Sequence, residues 1–257
     1  MKIFKWTALA LLITVFSCSS DDDNNTIIEN GTNPSANLKA TGSSANDFLS
    51  AAKYNSVVIE VLYVTGFRPN AQTLTNLKQF MQNRLNKPGG ITITEREITS
   101  PGSSPYDINE IAAIETLNRT KYNNANVLAM YMLFVDGKSA QDTDSSFILG
   151  TAYRNTSFVM FENSVQNLSN SVGEPNRVDL ETTVILHEMC HLLGLVNLGS
   201  PMQAEHLDEA HDKHCDNENC LMFWKTENSG VLQMMLGGNV PQLDDDCLAD
   251  LRVNGGK

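Results

Sequence analysis

Two histidines and a glutamate stand at the spacing of a helical zinc site between residues 187 and 191. Residues four apart share one face of a helix, so His187 and His191 can present their imidazoles to one ion. Glu188 would then lie beside the ion, where its carboxylate can take a proton from a metal-bound water. The segment therefore predicts a zinc centre with two histidine ligands and a glutamate as general base.

The surrounding sequence favours the helix that this chemistry needs. We place the helix at about residues 179 to 193, with Asp179 as its N-cap and Glu181 in its first turn. Gly194 is a natural end for it. Apolar residues form two adjacent rows along this helix, and the two histidines lie off those rows. One helix can therefore contact both an apolar core and a polar cleft.

A third metal ligand must follow the helix, because catalytic zinc usually has three protein ligands and a water. Neutral imidazole is a good zinc ligand and amide oxygen a poor one. The downstream candidates are Asn197, Glu205, His206, Asp208, Glu209, His211, Asp212 and His214. Residue chemistry alone favours a histidine and leaves the choice among His206, His211 and His214 open.

The segment His187 to Gly194 resembles the metzincin metallopeptidases, whose motif is H-E-x-x-H-x-x-G-x-x-H/D. The chain departs from that motif at Asn197, which stands where the third ligand is expected. The run His214 to Met222 is similar to the H-C-x4-C-x-M segment of archaemetzincins. This similarity implies an insertion at about residues 195 to 213, as leishmanolysin-like members also show.

The metzincin resemblance implies particular roles and a fold. His214 is the expected third ligand of one catalytic Zn²⁺, and Met222 is the expected methionine of a tight turn beneath that ion. The expected fold is an α+β metzincin-like zincin with a mixed twisted sheet, packed helices and an irregular C-terminal subdomain that carries the Met-turn. Trp224 stands where some metzincins have a tyrosine that supports the transition state. The stretch from Gly194 to Met222 also resembles surface lipoproteins of Bacteroidetes described as membrane metalloproteases.

The upstream chain alternates strand and helix patterns, in the order β-α-β-α-β-β-β-α, which is typical of a mixed sheet with packed helices. Nearly continuous apolar runs predict buried strands, and an alternating run predicts a half-buried one. The predicted strands are residues 57–65, 91–98, 127–135, 147–153 and 157–162, and the predicted helices before the zinc helix are residues 71–85 and 107–118.

Three residues in the strand at 147–153 are candidates for substrate binding: Gly150, Thr151 and Ala152. If this strand lies at a sheet edge, its backbone can bind an extended peptide. An ordinary strand with a glycine bulge explains the same residues equally well.

The start of the chain predicts an exported lipoprotein. Lys2 and Lys5 precede an apolar run that is too short to span a membrane as a mature helix. Val15 to Cys18 resembles a bacterial lipobox, which implies a signal peptide at residues 1–18 and lipidation of Cys18. The acidic stretch Ser19 to Asp23 resembles the tag that sends Bacteroidetes lipoproteins to the outer cell surface. An ordinary secretory signal is the alternative, and the mature protein is exported in either case.

Composition limits the domain organisation and the partners. Residues 19–46 are polar and predict a flexible tether, and residues 47–257 predict a single metallopeptidase domain. The net charge of −12 argues against nucleic-acid binding. Asp244 to Asp246 contribute to that charge, and we expect them to be solvated surface. The expected partners are a protein or peptide substrate and, through the lipid anchor only, the outer membrane; we expect a monomer.

Export permits disulfides between the remaining cysteines. Cys215 and Cys220 are close enough in sequence to close a small loop. Archaemetzincins have a further C-x-x-C that this chain lacks, so we expect a Cys215–Cys220 disulfide rather than a second, structural zinc. We expect Cys190 to be a core residue, and the sequence does not decide whether it pairs with Cys247.

The sequence as a whole predicts a zinc metalloendopeptidase in which Glu188 activates a zinc-bound water. One alternative is a surface-anchored module that binds zinc in a closed four-ligand site without peptidase activity. A second is a gluzincin-type peptidase with Glu209 as third ligand. Hydrolysis of a non-peptide bond is also open, because the motif specifies the nucleophile more than the substrate.

Overall fold

A five-stranded mixed sheet forms the centre of the computed structural model, which describes residues 34–235 and 239–257. The strands are β1 (Ser56–Val64), β2 (Gly90–Ile98), β3 (Val127–Phe134), β4 (Gly150–Arg154) and β5 (Ser157–Met160). The helices are α1 (Ala45–Leu49), α2 (Ala71–Arg84), α3 (Ile108–Asn118), α4 (Glu162–Asn167), α5 (Arg177–Leu192), α6 (Val231–Met234) and α7 (Asp245–Val253), with 3-10 turns at Pro34–Asn37 and Trp224–Glu227.

The strand order across the sheet is β2-β1-β3-β5-β4. Strands β2, β1, β3 and β5 run parallel, and β4 pairs antiparallel with β5 at one edge. Parallel strands need long crossover connections: α2 lies in the one from β1 to β2, and α3 in the one from β2 to β3. The predicted mixed α+β fold and its order of long elements are therefore confirmed.

The sheet separates two apolar clusters. Alternate residues of β3 point to opposite faces, so Met130 and Met132 join one cluster while Tyr131 and Leu133 join the other. The larger cluster lies against α2, α5 and the C-terminal region, and the smaller one contains Ile111 of α3. Helix α5 is thus packed on the face of the sheet that carries the larger cluster.

Several short elements were not predicted. The predicted strand at 157–162 ends at Met160, and α4 begins at Glu162. Helices of four to six residues, such as α4 and α6, are too short for a helical repeat to show in the sequence. In the acidic run before α7, Asp245 and Asp246 are exposed as expected, but Asp244 caps the helix by accepting a hydrogen bond from Cys247 N.

The tether predicted to reach residue 46 is wrong for its last part, because residues 34–46 pack on the domain. Asn37 is fully buried, and its amide nitrogen donates to the carbonyl oxygen of Ala129 at 3.0 Å and to the side chain of Asn123 at 2.9 Å. Asn155 also bonds to this segment, at Ala36, Lys39 and Ser44. The polar composition did not predict this order, because it depends on hydrogen bonds between residues far apart in sequence. Helix α1 also begins inside the predicted tether.

The predicted signal peptide at residues 1–18, with Cys18, lies outside the described residues. Across 34–235 and 239–257, no helix is both long enough and apolar enough to cross a membrane.

Candidate metal centre

Helix α5 carries the H-E-x-x-H segment through the core and is buried from Leu180 to Leu192. It begins one turn earlier than predicted: its N-cap is Asn176, not Asp179, because the Asn176 side chain accepts the Asp179 N–H. It ends where Gly194 adopts a φ of 83°. A Cβ on Gly194 would lie 2.5 Å from Ser200 N, so both the backbone conformation and the close packing require glycine.

Three imidazoles meet at the C-terminal half of α5. The ring centroids of His187 and His191 are 4.7 Å apart, and that of His214 lies 5.3 Å and 5.2 Å from them, respectively. The Nε2 atoms of His187 and His191 are 3.1 Å apart. The structure thus brings the helical pair and His214 into one cluster, which we call the histidine cluster.

Each ring of the histidine cluster bonds through Nδ1 to a backbone carbonyl oxygen. The pairs are His187 with Leu221 at 2.8 Å, His191 with Leu195 at 3.1 Å and His214 with Asp212 at 3.0 Å. A carbonyl oxygen only accepts, so Nδ1 carries the proton and Nε2 keeps a free lone pair. Three converging lone pairs repel one another without a cation, and outer bonds of this kind orient metal-ligating histidines. The cluster therefore fits a metal ion.

The electrostatics of the histidine cluster favour neutral rings. Burial lowers the pKa of His187 well below its ordinary value, and the neighbouring histidines lower it further. Burial, followed by the effect of His214, lowers the pKa of His191 to about 4. Neutral imidazole is the form that binds a metal.

Two carboxylates face the histidine cluster. Glu188 is fully buried, and neither of its oxygens makes a hydrogen bond of normal geometry to the described part of the chain. Burial, and then the charge of Glu227, raises the pKa of Glu188 well above its ordinary value. The Oε2 atom of Glu227 lies 3.7 Å from Nε2 of His214. A buried carboxylate without partners is costly, and a cation among the histidines would offset that cost.

His214 reaches the cluster because the insertion closes on itself. Val196 N donates to the carbonyl oxygen of Lys213 at 3.2 Å, so the chain leaves α5 and returns at nearly the same point. The expected insertion at residues 195–213 can therefore be accommodated without moving the third histidine away from the helix.

A tight turn lies against the histidine cluster. Phe223 N donates to the carbonyl oxygen of Cys220 at 3.0 Å, which places Met222 inside the turn, where its side chain is fully buried. The preceding carbonyl, of Leu221, is the partner of His187. Met222 thus occupies a buried turn next to the cluster.

The other candidate ligands lie elsewhere. His211 stacks on Trp224 with ring centroids 4.1 Å apart and bonds to Asp208. Glu209 is exposed. Within the described residues, neither His211 nor Glu209 belongs to the histidine cluster. The structure therefore does not assemble the gluzincin arrangement.

The predicted Cys215–Cys220 disulfide is wrong, because all four cysteines of the described region are free and buried. Cys220 Sγ lies 3.7 Å from Cys247 Sγ of α7, and Cys247 Sγ lies 3.9 Å from Nδ1 of His206. Cys215 Sγ lies 3.2 Å from Oδ2 of Asp244, and His206, Cys215, Asp244 and Cys247 offer donor atoms within 4.8 Å of one another. We call the group of His206, Cys215, Cys220 and Cys247 the thiol cluster.

The thiol cluster has the donors of a structural zinc site. Thiolate sulfur and imidazole nitrogen are preferred zinc ligands, and Cys215, Cys247 and His206 offer donor atoms within 4.8 Å of one another. The other nitrogen of His206 bonds to Asp250 at 2.9 Å, as metal-binding histidines often bond to a carboxylate. Hydrogen bonds from the neighbouring thiols lower the pKa of Cys220. Sequence patterns do not predict this site, because the separation of His206 and Cys247 matches no zinc-site motif.

A cleft of about 300 Å³ opens beside the histidine cluster, with Thr151, Ala152, Glu188 and Glu227 among its walls. Strand β4 forms its rim and is the edge of the sheet. The strand has an irregularity between Ala152 and Arg154, not at Gly150. Gly150 instead permits close packing on α5, since a Cβ there would lie 2.9 Å from the Glu188 carboxylate.

These features define the class of the fold: a mixed α+β sheet whose antiparallel edge borders a helix with two clustered imidazoles. Among solved structures, the chain is similar to the archaemetzincin of Methanopyrus kandleri, with a TM-score of 0.50 and 16% sequence identity over 78% of this chain and 96% of that one. No family model matches the sequence, and no curated protein matches it. The likeness shows a shared fold, in agreement with the archaemetzincin resemblance of the sequence.

Proposed function

We propose that this protein is a zinc-dependent endopeptidase of metzincin type. The observation that carries the proposal is the convergence of three Nε2 lone pairs beside the unpartnered carboxylate of Glu188, in a cleft bordered by a sheet edge. The archaemetzincin-like fold supports it, because that family consists of zinc metallopeptidases.

His187, His191 and His214 would hold the catalytic zinc, and Met222 would underlie it. Bound zinc lowers the pKa of a water toward neutrality and polarises the scissile carbonyl. Glu188 accepts the proton of the attacking water and delivers it to the leaving amine.

An extended peptide would lie along β4. Edge strands bind peptides through backbone hydrogen bonds, and Gly150, Thr151 and Ala152 border the cleft next to Glu188. A peptide held there would present its backbone to the histidine cluster. This placement favours peptides over compact substrates.

The thiol cluster would hold a second zinc with a structural role. It links the insertion through His206, the loop before the tight turn through Cys215 and Cys220, and α7 through Cys247. Because Cys215 follows His214 directly, a metal at the thiol cluster would also fix the third histidine. The expected zinc content is therefore two ions per chain, not the single ion that the sequence predicted.

We also propose that the protein is a monomeric lipoprotein of the outer membrane, exposed at the cell surface and anchored through Cys18. The basis for the anchor and the location is the sequence of residues 1–23. Radiolabelled palmitate incorporated by wild-type protein but not by Cys18→Ala would support the anchor, and equal labelling of both would contradict it.

One observation favours a second candidate function, a zinc-binding surface module without peptidase activity. Glu227 adds a fourth donor to the histidine cluster, and four protein ligands are typical of closed, structural zinc sites.

Casein cleavage by the soluble form from Ser19 onward separates the two candidates. A peptidase cleaves casein, loses activity on removal of zinc with a chelator and regains it when zinc is restored. A binding module holds zinc and leaves casein intact, which would overturn the peptidase proposal.

A further inference from the structure

Glu227 has no role in the hydrolysis proposed above, yet it faces the histidine cluster. It ends the 3-10 turn Trp224–Glu227, and its Oε2 lies 3.7 Å from Nε2 of His214. One oxygen of Glu227 and one nitrogen of each clustered histidine all lie within 4.8 Å of one another. The carboxylate therefore reaches the same point as the three rings.

The backbone of Glu227 is held in place by the edge of the sheet. Leu149 N donates to the carbonyl oxygen of Glu227 at 2.8 Å, and Ser229 N donates to that of Phe147 at 2.8 Å. These bonds pair residues 227–229 with residues 147–149, just before β4. The position of Glu227 next to the histidine cluster is thus fixed by the fold and not by a flexible loop.

The side chain of Glu227 keeps freedom that the histidines lack. It is 30% exposed, whereas that of His214 is 9% exposed. The carboxylate also borders the cleft, so it can rotate into open space without disturbing the core.

We propose that Glu227 is a fourth, displaceable ligand of the metal held by His187, His191 and His214. Donor atoms on one tetrahedral zinc lie about 3.4 Å apart, close to the separation between Glu227 and His214. At rest the carboxylate occupies the coordination position that catalytic sites leave open for water. A substrate entering the cleft displaces it and opens the site. This inference rests on the proposed peptidase function and adds its regulation.

The test uses Co²⁺ as a visible probe of the histidine cluster, in protein whose thiol cluster has first been given one equivalent of zinc. Imidazole is the added ligand, because it is uncharged at high pH and its binding does not simply report a lost negative charge. Wild type is compared with Glu227→Gln. The matched control is Glu209→Gln, which removes one exposed carboxylate outside the cluster.

We expect Glu227→Gln to bind Co²⁺ about 10-fold or more weakly and imidazole about 10-fold or more tightly than wild type, with a changed visible spectrum. Glu209→Gln should match wild type in all three. Unchanged Co²⁺ affinity, imidazole affinity and spectrum in Glu227→Gln would overturn the proposal.

These readouts are independent of peptide cleavage. If wild-type protein fails to cleave casein but the Co²⁺ and imidazole affinities change as expected in Glu227→Gln, the peptidase proposal is wrong and Glu227 is still a ligand. If casein is cleaved but imidazole binds both proteins equally, Glu227 is not a ligand and the peptidase proposal stands.

Discussion

The α-carbon of Gly150 packs directly against the carboxylate of Glu188. A Cβ at this position would lie 2.9 Å from Glu188 Oε1 and 2.7 Å from a methyl group of Val184. The edge strand can therefore approach the general base only because residue 150 has no side chain. This contact joins the surface on which we place the substrate to the residue that performs the proton transfer.

Gly150→Ala should accordingly impair catalysis more than metal binding. The added methyl group must displace the Glu188 carboxylate or the edge strand, so we expect casein cleavage to fall about 10-fold or more and the free energy of unfolding to fall by about 1–3 kcal/mol. Zinc content should stay the same. Asn109→Ala, at an exposed position of α3 away from the cleft, is the control, and equal activity of both variants would contradict the proposed contact role.

Cys247→Ser should remove one zinc from the chain. The thiol cluster would lose a soft ligand supplied by α7, so we expect zinc content to fall from two ions to one, together with a loss of thermal stability. Cys190→Ala is the matched control, since Cys190 is a buried cysteine outside both metal groups. Unchanged zinc content in Cys247→Ser, measured by atomic emission, would exclude this metal site.

Asn37→Ala should destabilise the domain although residue 37 lies in a polar segment. The change removes the acceptor of the buried Asn123 N–H, together with the donor to Ala129 O and to the Asn123 side chain, so we expect the free energy of unfolding to fall by about 1–3 kcal/mol. Asn109→Ala, at an exposed position, should change it by no more than about 0.5 kcal/mol. Equal urea midpoints for the two variants would show that residues near 37 contribute nothing to stability.

The raised pKa of Glu162 predicts that the stability of the folded protein depends on pH. Burial, and then the charge of Glu181, raises the pKa of Glu162 well above its ordinary value, although Arg177 lies 2.8 Å away. The folded state therefore keeps a proton that the unfolded chain releases above about pH 4.5, and stability falls as the pH rises through that range.

Glu162→Gln cannot release this proton. Relative to wild type, the variant should gain stability as the pH is raised from about 5 to about 8. Urea unfolding at both pH values measures the gain. A difference between variant and wild type that does not change with pH would contradict the raised pKa.

The sequence predicted the long elements because their patterns are strong. β1 and β3 are almost continuously apolar, α2 has a helical repeat, and Gly194 ends α5 by adopting a conformation that glycine tolerates. The H-E-x-x-H pair follows from helix geometry alone. The choice of His214 came from the family resemblance, and only the closure of the insertion at Val196 and Lys213 shows how it reaches the helix.

The remaining parts of the site depend on contacts between distant residues. Glu227 reaches the histidine cluster through its pairing with residues near Leu149, and His206 contacts Cys247 of α7. No spacing in the sequence reports such contacts. Cys215 and Cys220 illustrate the same limit: their closeness in sequence suggested a disulfide, whereas the fold directs both thiols toward α7.

The most direct test of the proposed chemistry is Glu188→Gln. The variant removes the proton acceptor and leaves the three histidines, so we predict unchanged zinc content and a loss of casein cleavage of about 10²-fold to 10⁴-fold. Zinc content and initial rate are measured on the same preparation, with Glu209→Gln as the control of equal charge. Cleavage by Glu188→Gln at the wild-type rate, with zinc bound, would contradict the account.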